Sequence, residues 1–344
     1  MGQRPRSMTA LSMVVVLGLA LAVSVAACGS TSSSTASGDT PVTTGDPSIA
    51  AGRAYPFTRT TVTLVDPTRP TEAGTKTPEH PGRTLVTDVY VPEGPGPFPL
   101  VLFAHGLGGN PNKVVGLLSA WAKAGYVVAA PAFPVTNDTV PGQDGNWRNV
   151  AAQPGDVSFV LDTLLGTGGD AVGLSTLDAN LGDGNGPRLS ERVDHDRIGV
   201  SGHSLGGATT YGVAFNTCCR DPRVKSAEVL SGGELPVGVP PGGEFQMDGH
   251  LPLLIMHGEK DGSFNYHLPT DVYASAKPPV WFVTLVGGSH SPPYEDEPSP
   301  WDDAVMTITA DFWDATIGNV PAAMARFEAD AVVPNLTTLQ HKPG

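Results

Sequence analysis

Arg197-Ile198-Gly199-Val200-Ser201-Gly202-His203-Ser204-Leu205-Gly206-Gly207 is the stretch on which the fold turns. Ile198 and Val200 are β-branched residues in a short apolar run, as a buried strand requires. The glycines permit a sharp turn, and Leu205 to Phe215 predicts a helix whose small residues pack closely on that strand. Strand, tight turn and helix are the setting in which Gly-x-Ser-x-Gly forms a nucleophile elbow. The turn would hold Ser204 at its tip with Oγ exposed and leave the Leu205 amide free to donate to an oxyanion. Side chains at positions 202 and 206 would collide across such a turn. A Gly-rich loop is the bland alternative, and the flanking strand and small-residue helix argue against it.

Outward from this stretch, β-branched runs alternate with helical segments. Strands are predicted at 57–64, 84–91, 99–104, 126–130, 197–201, 226–231, 252–256 and 280–285, and helices at 113–124, 155–165, 205–215, 265–274 and 301–316. The first two strands alternate with period two and have no helix between them, the mark of antiparallel neighbours. The later ones are continuous apolar runs, as in a parallel sheet covered on both faces. The expectation is an α/β fold: a mostly parallel eight-stranded sheet with helices on both faces.

Two further strand ends carry chemistry. Pro252-Leu253-Leu254-Ile255-Met256-His257-Gly258-Glu259-Lys260-Asp261 brings Asp261 to the edge where α/β sheets place their sites, and Gly287-Gly288-Ser289-His290 follows the next strand. A serine hydroxyl is a weak nucleophile until a base takes its proton, and a neutral imidazole can do so near pH 7. A carboxylate on the other ring nitrogen fixes the tautomer and stabilises the imidazolium. Ser204, His290 and Asp261 are the candidates for these roles. Glu259 is the nearby rival for the acid, and Asp261 could alternatively cap the segment that starts at Ser263. His203 lies inside the elbow, His257 within a strand end, His267 in a helix and His105 ahead of the first glycine loop, so His290 is the preferred base. Val101-Leu102-Phe103-Ala104-His105-Gly106-Leu107-Gly108-Gly109 runs from strand into glycine loop before a helix. That is where a second oxyanion donor comes from, and the amides of Leu107 and Leu205 are the expected pair. No Gly-Lys-Ser/Thr follows, so the loop is not a phosphate cradle.

These motifs resemble the α/β-hydrolase superfamily over about residues 54–320. Phe103–Gly109, Gly125–Pro131, Pro154–Asp162 and Asp196–Gly207 are similar to the bacterial predicted dienelactone hydrolase and platelet-activating-factor acetylhydrolase-like lineage. The resemblance implies a serine hydrolase acting on carboxylic esters of small molecules or lipids, with no metal or organic cofactor. True dienelactone hydrolases carry a cysteine nucleophile where this chain has Ser204, so that activity is not implied. Bacterial polyester hydrolases place a tryptophan where this chain reads Leu230-Ser231-Gly232-Gly233-Glu234. A phospholipase- or acetylhydrolase-type esterase, an acyltransferase using the same residues, and a non-catalytic binding lipoprotein on a hydrolase scaffold stay open at this point.

The front of the chain sets location. Arg4 and Arg6 precede an uncharged apolar stretch from Leu11 to Val25, the pattern of a signal peptide over residues 1–27. Val25-Ala26-Ala27-Cys28 resembles a bacterial lipobox, which implies cleavage before Cys28, diacylation of its thiol and a membrane-anchored, extracytoplasmic protein. An uncleaved membrane anchor is the alternative reading of the same stretch. Residues 28–53 are rich in Ser, Thr, Gly and Ala and predict a flexible linker; residues 321–344 are expected to be a tail. Thirty-four acidic against 20 basic residues, a net charge of −14, argue against nucleic acid as a partner. Adjacent Cys218 and Cys219 are read as structural, free or bridged to each other. The Asp/Asn/Gly-rich run from Asp178 misses calcium-loop spacing, with Asp183 sixth and Leu189 twelfth, and is read as a solvated loop.

Overall fold

The computed structural model describes residues 54–73, 78–94, 96–139, 147–168, 178, 188–234 and 243–344. The predicted leader, Cys28 and the linker lie outside these residues, as does most of the Asp178 run.

Among the described residues, nine strands form one sheet: β1 Phe57–Asp66, β2 Arg83–Pro92, β3 Phe98–Ala104, β4 Val127–Ala132, β5 Val193–His203, β6 Val224–Leu230, β7 Leu253–Gly258, β8 Val280–Leu285 and β9 Thr337–Lys342. Their order is β1-β2-β4-β3-β5-β6-β7-β8-β9. The six from β4 to β8 run parallel, while β1, β2 and β9 are joined antiparallel. The helices are α1 Val115–Lys123, α2 Gln153–Leu164, α3 Leu189–Arg192, α4 Leu205–Phe215, α5 His267–Ser275, α6 Asp302–Thr316 and α7 Ala323–Asp330.

The expected count of eight strands is corrected to nine. The additional strand, β9, lies in the stretch expected to be a tail, and pairs with β8 from Leu285↔Thr337 to Val280↔Lys342. Its sequence, Thr-Thr-Leu-Gln-His-Lys, has little apolar content because one long edge of an outermost strand faces no neighbour. Ahead of it, α7 sinks Phe327 between Trp281 and Phe312, with ring centroids 5.8 and 5.5 Å away.

Each face of the sheet carries its own apolar layer. One includes Val160, Leu161 and Leu164 of α2 and Tyr211 and Phe215 of α4. The other includes Leu118 and Trp121 of α1, Ile308, Phe312 and Trp313 of α6 and Phe327 of α7. Burial on both sides explains why β3, β7 and β8 read as unbroken apolar runs: every residue in them is buried.

Strand order reverses between β3 and β5, because the chain leaves β3 for β4 on one side and returns to β5 on the other. At such a switch point the loops after the two strands diverge and leave a crevice at their carboxyl ends. The glycine loop from Gly106 and the turn at Ser204 border this crevice.

Candidate active site

β5 ends at His203 and α4 begins at Leu205, so the whole reversal falls on Ser204, with φ 58° and ψ −119°. A non-glycine residue at positive φ is strained, and it persists because its surroundings over-determine it. The turn closes so tightly that a Cβ on Gly206 would lie 1.9 Å from the Ala104 carbonyl oxygen, and one on Gly202 would lie 2.2 Å from the Gly206 carbonyl oxygen. The Ser204 amide donates to the Leu230 carbonyl at 2.9 Å, tying the turn to the end of β6.

Because β5, β7 and β8 are parallel, the residues after each emerge at one edge of the sheet. There His290 Nε2 lies 2.8 Å from Ser204 Oγ, and His290 Nδ1 lies 2.7 Å from Asp261 Oδ2. Asp261 is an acceptor only, so Nδ1 carries the proton and donates it, leaving the Nε2 lone pair to accept from the Ser204 hydroxyl. Asp261 Oδ1 accepts from the amides of Ser263 and Phe264 at 2.8 and 2.9 Å. Capping the next turn and holding the imidazole are therefore done by opposite oxygens of one carboxylate. Burial alone would raise the pKa of this group. The His290 hydrogen bond and the two amides outweigh it and hold Asp261 down at about 2. Glu259 points elsewhere, with its Oε2 accepting from the Gly287 amide at 2.9 Å.

The glycine loop is fastened from below by His105. Its Nε2 accepts from the Phe133 amide at 2.9 Å, which leaves Nδ1–H to donate to the Gly106 carbonyl at 2.7 Å. Gly109 donates to the same carbonyl at 3.0 Å. Burial pushes His105 down to about 4, so the ring stays neutral and this tautomer holds through neutral pH. In a trans peptide the C=O and N–H point in opposite directions. Pinning the Gly106 carbonyl therefore aims the Leu107 amide the other way. A Cβ on Gly106 would lie 3.0 Å from Ser204 Cβ, which places this peptide beside the serine. Neither the Leu107 nor the Leu205 amide has a hydrogen-bond partner among the described residues.

Two histidines set aside on sequence grounds also belong to the site. His203 Nε2 donates to the His290 carbonyl at 2.9 Å, and its ring lies between His290 and Tyr294, with centroids 4.9 and 5.1 Å away. Burial lowers it to about 4, so it is a neutral prop for the His290 loop. His257, at the end of β7, lies against Asp261. No sequence signal separates such residues from ordinary buried histidines except that both sit within four residues of a site side chain.

Aromatic neighbours divide. Phe264 stacks on His290 at 5.8 Å with planes 15° apart. Loop position in the sequence makes the side chains of Leu107, Leu205, Phe133, Trp147 and Phe264 candidate pocket walls, but Phe133 is buried against His105 instead. Leu205 packs with Val150 and Ala208. Leu107, Trp147 and Leu268 are exposed. Cys218 and Cys219 are joined as a disulfide just past α4. Among the described residues, no group of three or more His, Cys, Asp or Glu side chains is placed to hold a metal ion. No known family model matches this chain. No curated protein matches it either.

Proposed function

We propose that this chain is a serine hydrolase of the α/β-hydrolase fold that cleaves carboxylic esters through an acyl-enzyme. The observation that carries the reading is His290, which bridges Ser204 Oγ at 2.8 Å and Asp261 at 2.7 Å. The strand order with its crevice between β3 and β5 supports it. In this reading Ser204 Oγ attacks the ester carbonyl carbon as its proton passes to His290 Nε2. Asp261 stabilises the imidazolium through Nδ1–H, and the amides of Leu107 and Leu205 donate to the oxyanion. His290 then protonates the leaving alcohol. Water, deprotonated by the same nitrogen, releases the acid and restores Ser204.

Exposed Leu107 on the glycine loop and exposed Leu268, which lies with Phe264 against Gly233, favour an apolar acyl group. The apolar leader ending at Cys28 supports export and lipid anchoring at the extracytoplasmic face of a membrane. Turnover of p-nitrophenyl esters from C2 to C12 tests the reading. The expected result is hydrolysis that falls about 10³-fold or more in Ser204→Ala and His290→Ala. A chain-length optimum at long acyl groups would mark a lipid esterase. Absence of turnover and of serine labelling by a fluorophosphonate in the folded protein would favour a binding lipoprotein.

A further inference from the structure

We infer that His257 is a positioning residue that fixes both contacts orienting the His290 ring, the Asp261 carboxylate and the Phe264 face; this rests on the serine hydrolase reading above. His257 is the penultimate residue of β7, four residues before Asp261, with its side chain wholly buried. Its Nε2 lies 3.1 Å from the Phe264 carbonyl oxygen and 3.3 Å from Asp261 Oδ2. Both neighbours are acceptors, so a lone pair on Nε2 would face two others; the proton sits on Nε2, donates to the Phe264 carbonyl and turns its positive end toward Asp261 Oδ2.

That N–H bears on two different supports of the base, through a hydrogen bond to the Phe264 backbone and through electrostatic attraction to the Asp261 carboxylate. Asp261 Oδ2 is the oxygen that accepts from His290 Nδ1, and the Phe264 ring is the face stacked on His290. The Phe264 amide in turn donates to Asp261 Oδ1, so residues 261–264 form a small closed turn with the His257 N–H at its centre. Burial keeps His257 neutral, and its Nδ1 has no partner. An unpartnered ring nitrogen is a standing penalty that a leucine would not carry. Its presence in a buried strand end fits a demand for the donor on the other nitrogen. The groups facing this turn are Asp261 and His290, with His203 behind the His290 ring and Glu259 directed to Gly287.

Three variants of the full chain test the inference. His257→Leu removes the donor, His257→Gln places an amide N–H near Nε2, and His257→Asn reaches only the place of Nδ1. Rates are expressed per serine labelled by a fluorophosphonate. His257→Leu and His257→Asn should lower kcat about tenfold with KM little changed, and His257→Gln should recover to within about threefold of wild type. A second readout needs no turnover: the far-downfield proton resonance of His290 Nδ1–H should persist in wild type and His257→Gln and broaden or vanish in the other two. If His257→Leu does not fold, His257→Asn carries the same comparison. Equal kcat per labelled serine in all variants, or a His257→Gln protein as impaired as His257→Leu, overturns the inference. A wild type that neither turns over nor labels, yet shows this resonance pattern, would overturn the hydrolase reading and leave the His257 geometry standing.

Discussion

Gly206→Ala probes the contact that aims Ser204. A Cβ at that position would meet the Ala104 carbonyl oxygen at 1.9 Å, its carbon at 2.4 Å and the His105 carbonyl oxygen at 2.8 Å. All three are backbone atoms of the β3 end and the loop beyond it, so no side chain can rotate aside. Real Cβ contacts essentially never fall below 3.0 Å. The start of α4 and the end of β3 must therefore part by about 1 Å, an overpacking at the upper end of the usual range, about 3 kcal/mol. For a folded body of roughly 290 residues that lowers Tm by roughly 5 °C. The same separation pulls the Leu205 amide away from that of Leu107, and loss of one oxyanion donor lowers turnover by about 10²-fold or more. Gly262→Ala is the control, since a Cβ there would meet nothing within 4 Å. It should melt within about 1 °C of wild type, as a surface change does. Calorimetry and ester turnover on both variants check the argument. A Gly206→Ala protein that melts and turns over like wild type would refute the claim that this close approach positions the serine.

Asp261 makes stability depend on acid pH. Its folded value, lowered from an ordinary 3.8 to about 2, means that the unfolded chain binds the proton first as pH falls. The stabilisation, about 2 kcal/mol, is complete above pH 4 and drains away as the pH drops through 2; urea titrations of Asp261→Asn should show a shallower acid slope in that window than wild type. Arg83 and Asp156 form a buried pair, with Nε donating to Oδ1 at 2.6 Å and Nη2 to Oδ2 at 2.5 Å. Arg83→Met leaves Asp156 with Arg69 as its remaining cation and should cost about 3 kcal/mol in denaturant unfolding, whereas an unchanged midpoint would show the pair to be expendable.

The legibility of this chain followed the strength of its physical constraints. The elbow was readable because a serine at positive φ between a buried strand and a helix demands glycine on both sides, and Gly202 and Gly206 stand there. Asp261 and His290 were readable because buried strands leave unbroken apolar runs whose ends are sharp. β9 was not, since an edge strand needs little apolar surface and Thr337–Lys342 offers chiefly Leu339. His105, His203 and His257 were read as bystanders because burial, tautomer and partner are decided by residues distant in sequence: Phe133 for the first, His290 for the second, Phe264 for the third. Phe133 failed as a pocket wall for a related reason. Its position in a loop suggested exposure, and the packing of His105 beneath the glycine loop drew it inward.

The central claim is that Ser204 is a nucleophile activated by His290. Its most direct measurement is the intact mass of the purified protein after treatment with a fluorophosphonate, followed by mapping of the modified peptide. The account predicts one phosphonate per chain, carried on Ser204, absent in Ser204→Ala and greatly slowed in His290→Ala. A folded protein that takes no label, or that labels equally well after Ser204→Ala, would contradict it.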